Sequence, residues 1–268
     1  VSALALVSAW WMLRALVPPG LAVAGALALG VGPIFWSYGA IAGDYTAIVC
    51  VGAFLLGVAI RTWREPRAWH PFAAAAVLAL GTGYRSDIGT FWLATFFIIL
   101  WRHRWLRALK AAALFTALNL AWIVPTVVYV GGWDEYLRQN REFAYHCGYL
   151  NSVWKLGVVD APLRYGVKAA MALVWTLGPG LLFAPRGLAR MVRGEDGAYR
   201  ALLLVACIVP ALGSHLLVHF GVAGYAFHYV PALLILIALG IGRPEPAVEA
   251  GRAAVRTDDR AVFRLGAL

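Results

Sequence analysis

Charged residues are scarce in this chain, at 13% of 268 residues, whereas about a quarter of an ordinary soluble domain is charged. Hydrophobic residues make up 62%, and the mean hydropathy is +0.74. This composition excludes a water-soluble globular domain and predicts an integral membrane protein, in which each spanning helix needs roughly 20 apolar residues. The formal charge of +10 lies largely in short loops between apolar segments, so it indicates orientation in a membrane and no nucleic-acid partner.

Several features of soluble enzymes are also missing. The three cysteines give no disulfide framework, because Cys50 and Cys207 lie inside apolar runs and Cys147 has no obvious partner. The sequence contains no P-loop, nucleophile elbow, Rossmann fingerprint or paired-cysteine motif, so it does not support soluble nucleotide chemistry. No internal repeat of fixed period occurs, which disfavours an inverted-repeat transporter.

The fold class predicted from the apolar segments is all-α, a polytopic bundle of about nine transmembrane helices. Residues 1–241 form the predicted membrane domain, with an outer loop at 131–164, and residues 242–268 form a mobile cytoplasmic tail. The short segments on either side of Arg85 either cross the membrane separately or form a re-entrant hairpin. The apolar segments lie near residues 1–17, 20–38, 45–60, 68–84, 88–101, 107–130, 165–184, 199–218 and 225–241.

Lys and Arg cluster in every second connection between these segments, and 17 of the 23 fall on one side. The positive-inside rule assigns that side to the cytoplasm. The opposite, outer face receives residues 43–45, 83–87, 131–164 and 219–224. Side chains able to do chemistry concentrate on this outer face. The basic clusters comprise Arg61, Arg64 and Arg67; Arg102, Arg104, Arg107 and Lys110; Arg186, Arg190, Arg193 and Arg200; with Arg14 and the tail from Arg243.

Asp44 lies on the outer face where one helix ends and the next begins. One interpretation is a helix N-cap, because Asp is a preferred capping residue and its charge complements the helix dipole. The other is an acid that binds a metal ion or polarises an acceptor hydroxyl. The residue type by itself favours capping.

Residues 81–89 place Tyr84, Arg85 and Asp87 between two short apolar arms. Charges at this depth need a partner, so Arg85 and Asp87 either pair with each other or Arg85 extends to the interface. Alternatively the guanidinium binds a lipid phosphate, with help from flanking glycines and from free amides at the start of the second helix. The sequence leaves both interpretations open.

His215 and His219 are four residues apart, which puts them on one helical face, and His228 follows the next turn. Zinc sites normally need three or four protein ligands, and no cysteine or carboxylate is spaced to complete one here. We therefore predict interfacial hydrogen bonding and no metal ligands. The aromatic residues of the outer loop predict an amphipathic helix at the membrane interface.

The sequence resembles the GT-C superfamily of integral membrane glycosyltransferases, especially the bacterial relatives of protein mannosyltransferases and aminoarabinose transferases. The resemblance spans most of the membrane region and depends on the order of short motifs and on their common outer face. These motifs are Phe35-Trp36-Ser37-Tyr38 leading to Asp44-Tyr45, then Gly83-Tyr84-Arg85-Ser86-Asp87, and finally Gly224-Tyr225 followed by Tyr229-Val230-Pro231.

The resemblance implies transfer of a sugar from a polyprenyl-phosphate donor to an unidentified acceptor hydroxyl. It implies a bacterial inner membrane, contact with membrane lipids and a periplasmic active face. Asp44 corresponds to the family's second acidic position and is the catalytic candidate, and Arg85 corresponds to the residue that faces the lipid phosphate. The resemblance does not imply a particular cofactor, and it allows a divalent cation in the site. The expected substrate or lipid-phosphate site comprises Tyr84, Arg85, Asp87, His219, Tyr225 and Tyr229.

The family's principal catalytic acid lies in the first outer loop, and no counterpart precedes Val1, so we expect an N-terminally truncated chain. The alternative function is a polytopic transporter or flippase for a lipid-linked sugar or another small substrate, without catalysis. A transporter needs polar residues throughout its depth, and the almost uncharged midplane favours the transferase. A third alternative, a structural scaffold, predicts that Asp44 and Arg85 tolerate alanine.

Overall fold

The structure is a computed structural model that describes residues 1–41, 44–194 and 196–242. These residues form helices and turns, and no strand occurs among them, which confirms the all-α fold class. Short 3-10 or π-helical segments connect some of the α-helices, among them Gly178–Phe183 and Ala223–His228. The α-helices are α1 (Ser2–Leu13), α2 (Pro19–Gly30), α3 (Pro33–Ile41), α4 (Asp44–Arg64), α5 (His70–Tyr84), α6 (Ser86–Trp101), α7 (Trp105–Val130), α8 (Trp133–Phe143), α9 (Val153–Leu156), α10 (Asp160–Leu177), α11 (Ala184–Arg193), α12 (Gly197–Leu217) and α13 (Val230–Ile241).

Local sequence signals explain several helix ends. α2 begins at Pro19, where the missing N–H costs no helical hydrogen bond. α4 has Asp44 in its first turn and Arg61 and Arg64 in its last, so its charges complement the helix dipole at both ends. α7 ends before Gly131, whose φ of 100° is a left-handed conformation that glycine adopts without strain.

α4 is the buried centre of the bundle. It packs along α1, where the rings of Trp11 and Phe54 stack with centroids 5.3 Å apart, and it also contacts α5, α6 and α13. Gly52 of α4 lies so close to the ring of Trp92 on α6 that a Cβ at this position would overlap it. This close packing sets how α4 and α6 lie against each other, and therefore which residues meet at their ends.

The two ends of the bundle differ in charge. At one end, here called the polar end, Arg85 contacts Asp44 at the start of α4. At the other, here called the basic end, Arg102 donates a hydrogen bond to the Trp63 carbonyl oxygen at 3.4 Å, and Arg190 donates to backbone carbonyls near the end of α13. Three of the four segments predicted to share the outer face have residues at the polar end, where Arg85 contacts Asp44 and the ring of Tyr225, which lies 6.0 Å from that of His219.

The predicted count of about nine spanning helices is not confirmed. All nine apolar segments are helical, but among the residues that the structure describes only α4, α7, α12 and the segment Asp160–Arg193 are long and apolar enough to cross a membrane. α2 and α3 together would make a fifth span, bent by 63° at their break. α1, α6 and α13 have only 12, 16 and 12 residues. The apolar runs 1–17 and 225–241 include turns beside α1 and α13, whereas the run 88–101 is already short in the sequence.

α5 and α6, which flank Arg85, extend between both ends of the bundle. Arg85 at their junction lies beside Asp44, the first residue of α4, and Arg102 after α6 lies beside Trp63 near the end of α4. The 16 residues of α6 and the two long arginine side chains therefore cover the same depth as the 21 residues of α4.

Two predictions fall on residues that lie outside the described ranges. They are the cytoplasmic tail, apart from Gly242, and residue 43 of the outer segment 43–45. Within the predicted outer loop, α8 lies where the amphipathic interfacial helix was expected, and none of its residues is buried. α10 begins at Asp160, so the loop is shorter than the predicted range 131–164.

Gly187 allows α11 to lie directly against α13. A Cβ at Gly187 would overlap the backbone carbonyl of Leu236, so we expect Gly187→Ala to lower the free energy of unfolding by about 1–3 kcal/mol through overpacking. Gly213→Ala in α12 is the control, because nothing lies within 4 Å of the added Cβ and alanine favours a helix. Thermal unfolding in detergent measures both changes. A loss for Gly187→Ala no larger than that for Gly213→Ala would contradict the packing described.

Candidate functional site

Arg85 lies at the junction of α5 and α6, where extended backbone (φ −149°, ψ 119°) separates the two helices. Its Nε donates to Asp87 Oδ1 at 3.0 Å, and its Nη2 donates to Asp87 Oδ2 at 2.6 Å. This two-point ion pair is the geometry in which a guanidinium and a carboxylate bind most strongly. The two side chains are only 14% and 21% exposed, so the pair is largely shielded from water.

A second carboxylate contacts the same guanidinium. Nη1 of Arg85 donates to Asp44 Oδ2 at 3.2 Å, and the Asp44 side chain is 41% exposed. The other oxygen, Asp44 Oδ1, is buried and has no hydrogen-bond partner among the described residues. Arg85 therefore lies between two carboxylates, of which Asp44 makes the longer contact and is the more accessible.

Two tyrosine rings cover the guanidinium. The Cζ atom of Arg85 lies 4.1 Å from the ring centroid of Tyr45 and 5.6 Å from that of Tyr225, within the range of cation–π attraction. The two rings contact each other edge to face at 5.8 Å. Gly224 permits this packing, because a Cβ there would overlap the Tyr45 ring. We call the group formed by Asp44, Tyr45, Arg85, Asp87 and Tyr225 the Arg85 site.

Buried histidines adjoin the Arg85 site. His228 is completely buried, and its Nε2 lies 3.6 Å from Asp87 Oδ2, which is too long for a hydrogen bond. His215 Nδ1 lies 2.5 Å from the Tyr229 hydroxyl, and the Phe91 ring packs edge to face against both imidazoles. His215 Nε2 and both nitrogens of His228 have no hydrogen-bond partner within the described ranges. Buried polar atoms without partners are rare in proteins and mark this region as a candidate for ligand binding.

Burial and charge act in opposite directions on the ionisable groups of this region. Burial by itself would lower the pKa of Arg85, but the hydrogen bond and charge of Asp87, with a contribution from Tyr45, hold that pKa above its ordinary value. Burial lowers the pKa of His228, and the attraction of Asp87 offsets only part of this effect. Burial raises the pKa of the Tyr225 hydroxyl. At neutral pH a permanently charged arginine therefore lies beside neutral imidazole and phenol groups.

No group of three or more His, Cys, Asp or Glu side chains in the described ranges could hold a metal ion. The rings of His215 and His228 are 5.6 Å apart, and the His219 ring lies near Tyr165 and Tyr225 instead.

The structure brings several of the predicted site residues together. The Tyr229 hydroxyl contacts His215 and does not contact Arg85 among the described contacts. The ring of His219 lies 6.0 Å from that of Tyr225, at the edge of the Arg85 site. The Tyr84 side chain is 54% exposed and makes no hydrogen bond or ring contact with any described residue. Tyr84 is the last residue of α5, before the extended backbone that directs Arg85 toward the carboxylates. The predicted residues in direct mutual contact are Asp44, Arg85, Asp87 and Tyr225.

The position of Asp44 agrees with the dipole part of the capping interpretation, but its carboxylate makes no capping hydrogen bond among the described contacts. Asp44 begins α4, and its carboxylate accepts a hydrogen bond from Arg85. Sequence reasoning missed Tyr45 and Phe91. Tyr45 follows an acidic residue at the start of a helix, which could have indicated a place in the site. Phe91 lies inside an apolar run, and nothing around it indicates such a place.

An apolar cavity of about 550 Å³ lies beside the break between α2 and α3. Its walls come from α2, α3, α10 and α13 and include Pro33, Trp175 and Ile237. α3 begins at Pro33 and carries Tyr38, whose ring contacts that of Tyr45 at 4.9 Å. Because a helix rises 1.5 Å per residue, the cavity and the Arg85 site are joined by roughly 8 Å of α3.

Comparison of this chain with protein-family models, with curated proteins and with solved structures gives no match. The resemblance to the GT-C superfamily therefore stays a prediction. Function must be argued from the Arg85 site and the apolar cavity themselves.

The ion pair of Arg85 and Asp87 should stabilise the fold. We expect Asp87→Asn to lower the free energy of unfolding by about 3 kcal/mol, because it leaves a largely buried guanidinium with only its weaker partner. Glu65→Gln, which removes the partner of the exposed Arg67, is the matched control and should have no measurable effect. Thermal unfolding in detergent measures both variants. Equal stability of the two would show that Arg85 does not depend on Asp87.

Burial of His228 predicts lower stability in acid. A histidine in the unfolded chain titrates near 6.5, whereas burial lowers the pKa of His228 in the folded protein. The unfolded state then binds the proton first. The contribution of neutral His228 to the free energy of unfolding is therefore present above pH 6.5 and is lost as the pH falls below it. We expect the Tm to fall between about pH 7.5 and about pH 5.5, and His228→Gln to reduce that fall. An unchanged pH dependence in the variant would rule out His228 as the cause.

Proposed function

We propose that this chain carries the phosphate-binding and acceptor-activating site of a membrane glycosyltransferase that uses a polyprenyl-phosphate-linked sugar. The observation that carries the proposal is the position of Arg85 between Asp44 and Asp87 at the polar end of an apolar bundle. By the positive-inside rule the basic end faces the cytoplasm, and the proposed site then faces the periplasm of a bacterial inner membrane.

The unequal contacts of Arg85 support binding of an anion. Nε and Nη2 are held by Asp87 at 3.0 and 2.6 Å, whereas Nη1 makes the longer, 3.2 Å contact with the more exposed Asp44. A phosphate oxygen that replaced Asp44 at Nη1 would form a charge-assisted hydrogen bond without disturbing the pair with Asp87. Such an exchange would release the Asp44 carboxylate beside the bound phosphate.

The released carboxylate has a role in the proposed reaction. The bond between the anomeric carbon of the sugar and the phosphate oxygen breaks, and a bond between that carbon and the acceptor oxygen forms. The acceptor hydroxyl gives its proton to Asp44, while Arg85 stabilises the negative charge on the departing polyprenyl phosphate. Tyr45 and Tyr225 hold the plane of the guanidinium by contact with its face.

The apolar cavity supports a lipid carrier over a soluble sugar donor. Its walls are apolar, its volume is about 550 Å³, and α3 connects it to the ring of Tyr45. A prenyl chain in this cavity would remain in an apolar environment while its phosphate reached Arg85. A soluble sugar nucleotide would have no use for such a cavity.

The proposal is tested with the purified full-length protein in proteoliposomes that contain polyprenyl-phosphate sugars and bacterial envelope extract as the source of acceptors. Release of polyprenyl phosphate is measured by mass spectrometry. We expect Asp44→Asn and Arg85→Lys to slow release by about a hundredfold, since one loses the proton acceptor and the other loses the Nη1 donor that the two-point pair with Asp87 holds toward the phosphate.

Arg102→Lys is the matched control, because Arg102 also stacks on an aromatic ring, 4.2 Å from the centroid of Trp63, but lies at the basic end. It should release carrier at the unmodified rate and keep the unmodified Tm, and rates for Asp44→Asn and Arg85→Lys are measured at a temperature where each variant remains folded. Equal rates in Arg85→Lys and Arg102→Lys would remove Arg85 from the mechanism. If the lipid-linked sugar moves across the bilayer and no polyprenyl phosphate is released, the protein is a transporter and not a transferase.

A further inference from the structure

A second cavity, of about 500 Å³, lies at the basic end beside the start of α7. None of its three cationic side chains forms an ion pair with an acidic side chain in the described ranges. We call it the α7 basic cavity. Its walls are Phe72, Arg104, Trp105, Leu106, Arg107 and Lys110.

The start of α7 adds further positive potential to these cations. Arg104 is the N-cap residue, the first turn contains no acidic residue, and no side chain caps the free amides. The positive end of the helix dipole therefore adds to the charges of Arg104 and Arg107.

The buried residue before α7 reports the same positive potential. Both ring nitrogens of His103 lack a hydrogen-bond partner within the described ranges. Burial lowers the pKa of His103, and the charges of Arg107 and Arg102 lower it further. Three cations, a helix N-terminus and aromatic walls therefore meet at the α7 basic cavity.

Two other arginines at the basic end, Arg61 and Arg67, are already paired. Arg61 donates to the carbonyl oxygens of Gly57 and Trp11, and Arg67 forms a two-point ion pair with Glu65. These contacts satisfy the guanidiniums within the fold. The unpaired cations of the α7 basic cavity therefore form a more favourable site for an external anion.

We propose that the α7 basic cavity binds the phosphate of an anionic phospholipid in the cytoplasmic leaflet. Trp105 is 75% exposed and Leu106 49%, so the cavity presents apolar surface beside its cations, as a lipid requires and a free phosphate does not. Leu109 continues this exposed apolar surface along α7, where acyl chains would lie. Tryptophan at the headgroup level and basic pockets on the cytoplasmic side are both typical of lipid-binding surfaces.

The experiment titrates the detergent-solubilised protein with short-chain phosphatidylglycerol and follows the Tm. Phosphatidylcholine with the same chains and inorganic phosphate are separate arms. We expect phosphatidylglycerol to raise the Tm at concentrations where the other two do not. We expect the triple variant Arg104→Gln, Arg107→Gln, Lys110→Gln to weaken the apparent affinity for phosphatidylglycerol by at least about tenfold.

The control is a second triple variant with the same change of charge at the basic end, Arg67→Gln, Arg186→Gln, Arg193→Gln, which should keep the unmodified affinity. An equal loss of affinity for phosphatidylglycerol in both triple variants would show that the lipid is attracted to the basic end as a whole and not to the α7 basic cavity. An equal response to phosphatidylcholine, or to inorganic phosphate, would overturn recognition of an anionic lipid.

Native mass spectrometry supplies a measurement on the unmodified protein if the cavity variant fails to fold. Phosphatidylglycerol retained in preference to phosphatidylcholine supports the proposal, and equal retention overturns it. The transferase assay uses the opposite end of the bundle, so either proposal can fail while the other stands.

Discussion

The contact of one guanidinium with two carboxylates is the constraint on which the polar end depends. Arg85 is mostly buried among apolar helices, where an unpaired charge would cost several kcal/mol. Asp87 neutralises it from the start of α6 and Asp44 from the start of α4, so the ion pairs join two helices. The aromatic rings of Tyr45 and Tyr225 then pack on the guanidinium and join the segment before α13 to the same point.

Both ends of the bundle use arginines stacked on aromatic rings, with different partners for the remaining donors. At the basic end, Arg61 lies over the ring of Trp11 and donates to backbone carbonyls, including one near the end of α1. Such contacts pair the guanidinium with the partial negative charges of carbonyl oxygens, so the basic end keeps its net positive charge. At the polar end the partners of Arg85 are carboxylates, one of them accessible, and the proposed function requires that a phosphate compete with this carboxylate for the guanidinium. This difference separates a structural arginine from one suited to binding a substrate.

Parts of the site could be predicted from local sequence. Asp87 is two residues from Arg85, so their pairing was one of the two interpretations open from spacing alone. Asp44 is 41 residues from Arg85, and nothing in either segment indicates that the two side chains meet. The same holds for His228 beside Asp87, which depends on the packing of the segment before α13 against α6. Residues such as Phe91 carry no polar signal and enter the site only through packing.

The sequence by itself determined that the protein is apolar, all-helical and asymmetric in charge between its two ends, because composition and periodicity act over whole segments. Tertiary structure decided how long each helix is and which side chains share a site. An apolar run does not reveal where a helix breaks, as α2 and α3 illustrate with their 63° bend. The contacts that build the Arg85 site are set by side-chain packing between distant segments, as where Gly52 accommodates Trp92 and Gly224 accommodates Tyr45.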